Sequence, residues 1–243
     1  MKTTLEVNPQ TVAELAISHP GALAIFTKYN IDYCCGGHRS IEDACRRIGL
    51  NPEKIKAEIL QNAEGETSEA IRPEKWSSAL LIDYIIGNHH SYVKNAIPEV
   101  QAFLDKVCDA HGNDCRELLE IRENFSELSD ELISHMEKEE LVLFPWIKNL
   151  EAENSGDQNR ISRLQAPIGA MEYEHVIAGD LVKEIRSLSR NYTPPDFACP
   201  TFRITYKKLQ EFENDLMRHI HLENNILFER MKDKTAAGGS CAL

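Results

Sequence analysis

The sequence contains no run of eighteen apolar residues, about the least that would carry a helix across a bilayer. It also lacks basic surplus: 27 Lys and Arg stand against 39 Asp and Glu, a formal net charge of −12. Neutralising phosphates needs clustered cations, so unspecific binding to nucleic acid or to anionic membrane is disfavoured. No basic stretch followed by an apolar one opens the chain, so no secretory signal is expected. The seven cysteines are odd in number and form no disulfide-framework spacing. A chain of 243 residues needs no covalent staples, and this cysteine usage points to a reducing cytoplasm. Strand signals are nearly missing.

What is present is helical. Residues 1–64 read as a small domain of four short helices: Thr11–Ser18, a segment from Pro20 to Tyr29, Ser40–Ile48 and Pro52–Gln61. Between the second and third lies Cys34-Cys35-Gly36-Gly37, whose paired glycines break any helix. Residues 65–74 are polar and without periodicity, and read as a linker. Residues 75–235 carry four long helical patterns, and 236–243 a small-residue tail expected to be flexible. The first pattern runs from about Ser77 to Ala110 with Pro98 as a kink. Asp114 with Glu117 resembles a capping box opening the second, which Pro145 ends or bends. Glu153–Arg160 reads as a loop, and Pro167 suits the first turn of a third helix ending near Arg190. After a proline-rich connection the fourth runs to about Lys232. The expected fold is all-α, a four-helix bundle behind a small helical domain.

Spacings of alternating three and four define the core face of each bundle helix. The second gives Leu118, Ile121, Phe125, Leu128, Leu132, His135, Glu139, Val142 and Trp146. The third gives Ile168, Met171, His175, Ala178, Val182 and Ile185. The fourth gives Phe202, Thr205, Leu209, Phe212, Leu216, His219, Glu223 and Ile226. A His and a Glu one turn apart therefore occupy consecutive core positions in two helices. Burying them costs several kcal/mol unless a cation compensates. Both pairs continue alike, His135-x-x-x-Glu139-x-x-Val-Leu-Phe144 and His219-x-x-x-Glu223-x-x-Ile-Leu-Phe228, an internal repeat suggesting a pseudo-twofold around one site. The face of the first helix, set by Ile86, Val93, Ile97, Val100 and Leu104, puts His89 and His90 at its edges. Adjacent residues are not expected to point inward together, and periodicity does not choose between them. Four imidazoles and two carboxylates are too many for one tetrahedral zinc, and fit two iron or manganese ions with open positions for small molecules such as O2 or NO. The vicinal cysteines admit three readings: accidental adjacency, a strained redox disulfide, or accessible thiols that take a metal or a nitrosyl adduct.

Lys28-Tyr29-x-x-Asp32-Tyr33-Cys34-Cys35-Gly36-Gly37, Ser134-His135-Met136-x-Lys138-Glu139-Glu140 with Leu143-Phe144-Pro145, Glu174-His175 and His219-Ile220-x-Leu222-Glu223-Asn224-Asn225 together resemble the Repair of Iron Centres family of hemerythrin-like proteins. The resemblance spans about residues 9–230 and implies a hemerythrin-like bundle with two non-haem irons under an oxo or hydroxo bridge. Its pattern carries an aromatic residue before the first histidine ligand, where this chain has His89, and so points to His90. It implies His90, His135, Glu139, His175, His219 and Glu223 as ligands, with Glu139 and Glu223 bridging. Glu131 and Glu174 would act around the site, and Cys34 and Cys35 on the recipient or an adduct. The implied function is repair of iron–sulfur proteins damaged by oxidative or nitrosative stress, by iron supply. The alternatives are NO reduction at the metal pair, which would make it an enzyme, and reversible O2 or NO sensing. A cytoplasmic homodimer is expected.

Overall fold

A computed structural model describes residues 10–19, 21–63, 72–153 and 158–238, with the side chains of 63, 158 and 235–238 excepted. Most of the expected linker, Pro20, and the end of the expected tail lie outside these residues. The chain divides into two compact units, Met1–Lys75 and Trp76–Leu243. Among the described residues there is no strand, only an isolated antiparallel bridge between Thr11 and Ser40.

In the first unit the helices are Val12–Ser18, Ala22–Lys28, Ile41–Arg47 and Pro52–Ala63. Thr11 opens the first through a capping box: its hydroxyl accepts from the Glu14 N–H at 3.1 Å, and the Glu14 carboxylate accepts from the Thr11 N–H at 2.8 Å. Two further N–H groups of that turn, on Val12 and Ala13, donate to the carbonyls of Arg39 and Gly37, both at 2.9 Å. The glycine turn is thereby stitched to a helix end whose donors need partners. Val12, Leu15, Phe26, Tyr33, Ile41, Ile55 and Ile59 form a small core beneath it.

The second unit is a ring of four long helices, each packed against its two neighbours. Three contain a π turn. The first bundle helix is α-helical over Ser78–Tyr84, widens at Ile85–His90, and resumes over Ser91–His111, with Pro98 exposed inside a helix that runs on. The second runs Glu117–Lys138, widens at Glu139–Leu143, and continues over Phe144–Ala152. The third is Gln165–Leu188. The fourth runs Pro200–Leu222, widens at Glu223–Phe228, and continues over Glu229–Gly238.

Four expectations are corrected. No side chain caps the second bundle helix, which starts at Glu117 behind Arg116 rather than from an Asp114 capping box. Pro145 does not end it: the proline falls just after the π turn, in the first turn of the resumed α-helix, where a missing N–H is tolerated. The last three residues of the expected 153–160 loop instead open a short helix, Gln158–Ser162, while 154–157 lie outside the described residues. The core register also slips. Val142 is 59 % exposed, and Leu143, Phe144 and Ile147 are buried instead. The π turn holds one residue more than an α turn, so every later side chain is rotated off the seven-residue pattern.

Candidate metal centre

Six side chains meet in the middle of the bundle, one from each of the first and third helices and two from each of the second and fourth. His90, His135, Glu139, His175, His219 and Glu223 are all at most 2 % exposed. They form two overlapping groups, His90, Glu139, His219, Glu223 and His135, Glu139, His175, Glu223, each with its donor atoms within 4.8 Å of one another. The two carboxylates belong to both groups.

The nitrogens are closely set. Nε2 of His90 lies 3.0 Å from Nε2 of His219, and Nε2 of His175 lies 2.9 Å from Nε2 of His135. Either pair of nitrogens is close enough for both to serve one cation. Glu223 reaches toward both groups, its oxygens 2.9 Å from His219 Nε2 and 3.1 Å from His175 Nε2. Glu139 is 3.4 Å from both His90 and His135. Both Glu139 oxygens and Oε2 of Glu223 are buried without a hydrogen bond. Orphaned acceptors this deep are expensive unless a cation fills the space between them. The residues fit a pair of cations.

The charges show the same demand. Burial alone would lower the His90 pKa, but Glu139 and Glu223 beside it outweigh burial and raise it to about 10. His135 is likewise raised, to about 9, by Glu139 and Glu223 against burial. Glu223 is held well below the usual carboxylate range, because His219, His175 and His90 overcome the burial that would raise it. Protons on His90 and His135 would supply, without metal, part of the positive charge that a bound ion supplies.

Outside this ring three imidazoles are oriented by hydrogen bonds at Nδ1. His90 pairs with Glu140 at 2.8 Å, His135 with Glu174 at 2.9 Å, and His175 with Asn224 at 2.8 Å. Lys94 and Lys138 hold the two carboxylates at 2.7 and 2.6 Å. An Nδ1–H donated outward fixes the tautomer whose Nε2 lone pair points in.

Glu174 thus touches a ring histidine, while Glu131 is exposed and bonds to none of the imidazoles. His89 is 6 % exposed, so both adjacent histidines are buried, against the expectation drawn from helix geometry. The Ile85–His90 π turn rotates them so that only His90 enters the ring. Glu140 and Asn224 follow the bridging-type glutamates directly in sequence, a position that could have drawn attention to them. Cys34 and Cys35 belong to the other unit. No disulfide joins them, their sulfurs being 3.6 Å apart, and Oδ1 of Asp32 accepts from the Cys34 thiol and from the N–H groups of Cys35 and Gly36. Burial, then the Cys35 sulfur, pushes the Cys34 thiol well up.

A buried His/Glu ring between four antiparallel helices defines a cation-binding helical bundle. The hemerythrin HHE cation-binding domain family matches residues 81–231, and a domain of unknown function (DUF542) matches residues 8–63. The iron-sulfur cluster repair protein YtfE of Shigella boydii is 39 % identical over 224 residues, covering 91 % of this chain and 96 % of that protein. The proteins of the same name from Citrobacter koseri and Enterobacter are 39 % and 38 % identical over the same shares of both chains. The chain belongs to the hemerythrin-like iron-sulfur cluster repair family. No helix among the described residues is long and apolar enough to cross a membrane.

Proposed function

We propose that this protein repairs iron–sulfur clusters damaged by oxidative or nitrosative stress, by supplying iron from a non-haem di-iron centre. The carrying observation is that two four-residue groups share Glu139 and Glu223, as two neighbouring ions bridged by carboxylates require. His90 and His219 would hold one ion, His135 and His175 the other, under an oxo or hydroxo bridge. The relatives' name supplies the recipient, a damaged iron–sulfur protein.

The iron is cargo here, and the chemistry of release belongs to the ring. Imidazole and carboxylate bind ferrous iron less firmly than the thiolates and sulfides of a recipient cluster, so transfer runs downhill. Glu140 and Glu174 keep each Nε2 aimed inward, and their lysine partners keep those carboxylates ionised. Cys34 and Cys35, one buried and one partly exposed, would meet the recipient or relay an adduct. NO or O2 would meet the positions that six ligands leave open. The family resemblance supports a cytoplasmic homodimer as the working assembly.

The test is restoration of a damaged [4Fe–4S] dehydratase in extract by iron-loaded protein. Wild type restores activity, whereas His135→Leu and Glu223→Leu do not. Equal restoration by all three removes the proposal.

A further inference from the structure

The ring is nearly symmetric, and the place where symmetry fails has a consequence for the cargo. The repeat pairs the second helix with the fourth and the first with the third, so that His135 corresponds to His219 and His90 to His175. The residue after each bridging-type glutamate serves a neighbouring helix in the same way: Glu140 holds His90 and Asn224 holds His175. The residue before each single-helix histidine should match too. On the third helix it is Glu174, which takes Nδ1 of His135 at 2.9 Å. On the first it is His89, and the pattern breaks.

His89 does not reach Nδ1 of His219. It lies flat over that ring, with centroids 5.7 Å apart and planes 6° from parallel. Its own Nδ1 is engaged 3.0 Å away by Asp215. Among the described residues Nδ1 of His219 is left buried with no acceptor. One half of the ring therefore has two supported imidazoles, His135 on a carboxylate and His175 on an amide. The other has one, His90.

An outer hydrogen bond makes an imidazole a better donor and holds it in place, and its loss typically lowers metal affinity by about 10–100-fold. We infer that the two ions are held unequally, and that the ion between His90 and His219 is the one given up first, because His89 stacks on His219 where Glu174 hydrogen-bonds His135. His89 is in this sense a positioning residue that withholds support. The inference rests on the di-iron reading above and specifies which position delivers.

The test uses crystals of the full chain loaded anaerobically with two ferrous ions and soaked for graded times in a ferrous chelator. Anomalous iron peaks identify the position that empties. The peak beside His90 and His219 is expected to fade about tenfold faster or more, and release in solution to show two phases. Glu174→Leu, which strips His135 as His219 is stripped, is expected to close or reverse the gap. Equal fading, earlier loss beside His135 and His175, or a gap unmoved by Glu174→Leu overturns the inference while leaving two bound ions intact. A chain that never takes up two ions overturns both readings.

Discussion

His135 and Glu174, 39 positions apart, meet through a 2.9 Å hydrogen bond from the second to the third bundle helix. Glu174 is also held by Lys138, at 2.6 Å, one turn along from His135 itself. The imidazole and the lysine grip one carboxylate from a single helix. Glu174→Gln keeps the shape and removes the charge, so iron affinity is expected to fall by about tenfold or more with helix content unchanged. Competition with a chelator of known affinity measures it.

Glu139 stands in the core with neither oxygen hydrogen-bonded, its Oε2 3.4 Å from Nε2 of His90 and of His135. Without metal, removing this carboxylate leaves two buried imidazoles without their counter-charge, which is destabilising. Metal-stripped Glu139→Leu should therefore melt below the stripped wild type. With excess ferrous iron the gap should widen, since the variant lacks a side chain that both four-residue groups share and gains less binding free energy. Paired thermal scans decide, and a gap that iron leaves unchanged would show that the ring is not built around cations.

Glu151 closes the open end of the first bundle helix, accepting from the N–H groups of Ser78 at 3.1 Å and Ala79 at 2.9 Å. Burial would raise its pKa, but these two donors win and hold it below the ordinary 4.5. A depressed carboxylate contributes stability above its unfolded pKa, and loses it as pH falls through the folded one. Glu151→Gln should cost about 1 kcal/mol at pH 7 and almost nothing at pH 2–3. Denaturant titrations at the two pH values test the sign.

Cys199 caps the fourth bundle helix, with His111 3.4 Å from its sulfur. The N–H of Phe202 and then His111 lower the thiol below its ordinary 9.0, whereas burial raises Cys108. Cys199 should take up iodoacetamide well before Cys108 at neutral pH, with its half-maximal rate moved upward in His111→Ala. Peptide mass spectrometry over a pH series reads both.

The ring could be read from sequence where chemistry follows spacing. A polar pair at two successive core positions, repeated 84 residues later (from His135 to His219), stands out against an apolar stripe, and five of the six side chains follow from it and from His175. His90 needed the family pattern, because two adjacent histidines at the edge of a face look alike to periodicity. The outer partners were hidden for another reason. Asp215 reaches His89 across 126 positions and Glu140 reaches His90 across 50, and such pairings depend on how helices are turned against each other. The π turns left no compositional trace, and the one at Glu139–Leu143 shifts the buried face from Val142 to Leu143 and Phe144.

Those widened turns begin at Glu139 and Glu223 and end at His90, so each borders a side chain of the ring. One extra residue lets the helix present a polar pair to the centre and still return Leu143 and Ile147 to the oil beyond it. Removing a single codon from such a turn would leave an uninterrupted α-helix whose downstream face no longer agrees with its upstream one. In this architecture the length of one helical turn, and not only the identity of six side chains, keeps the polar ring and the apolar core on the same face of each helix.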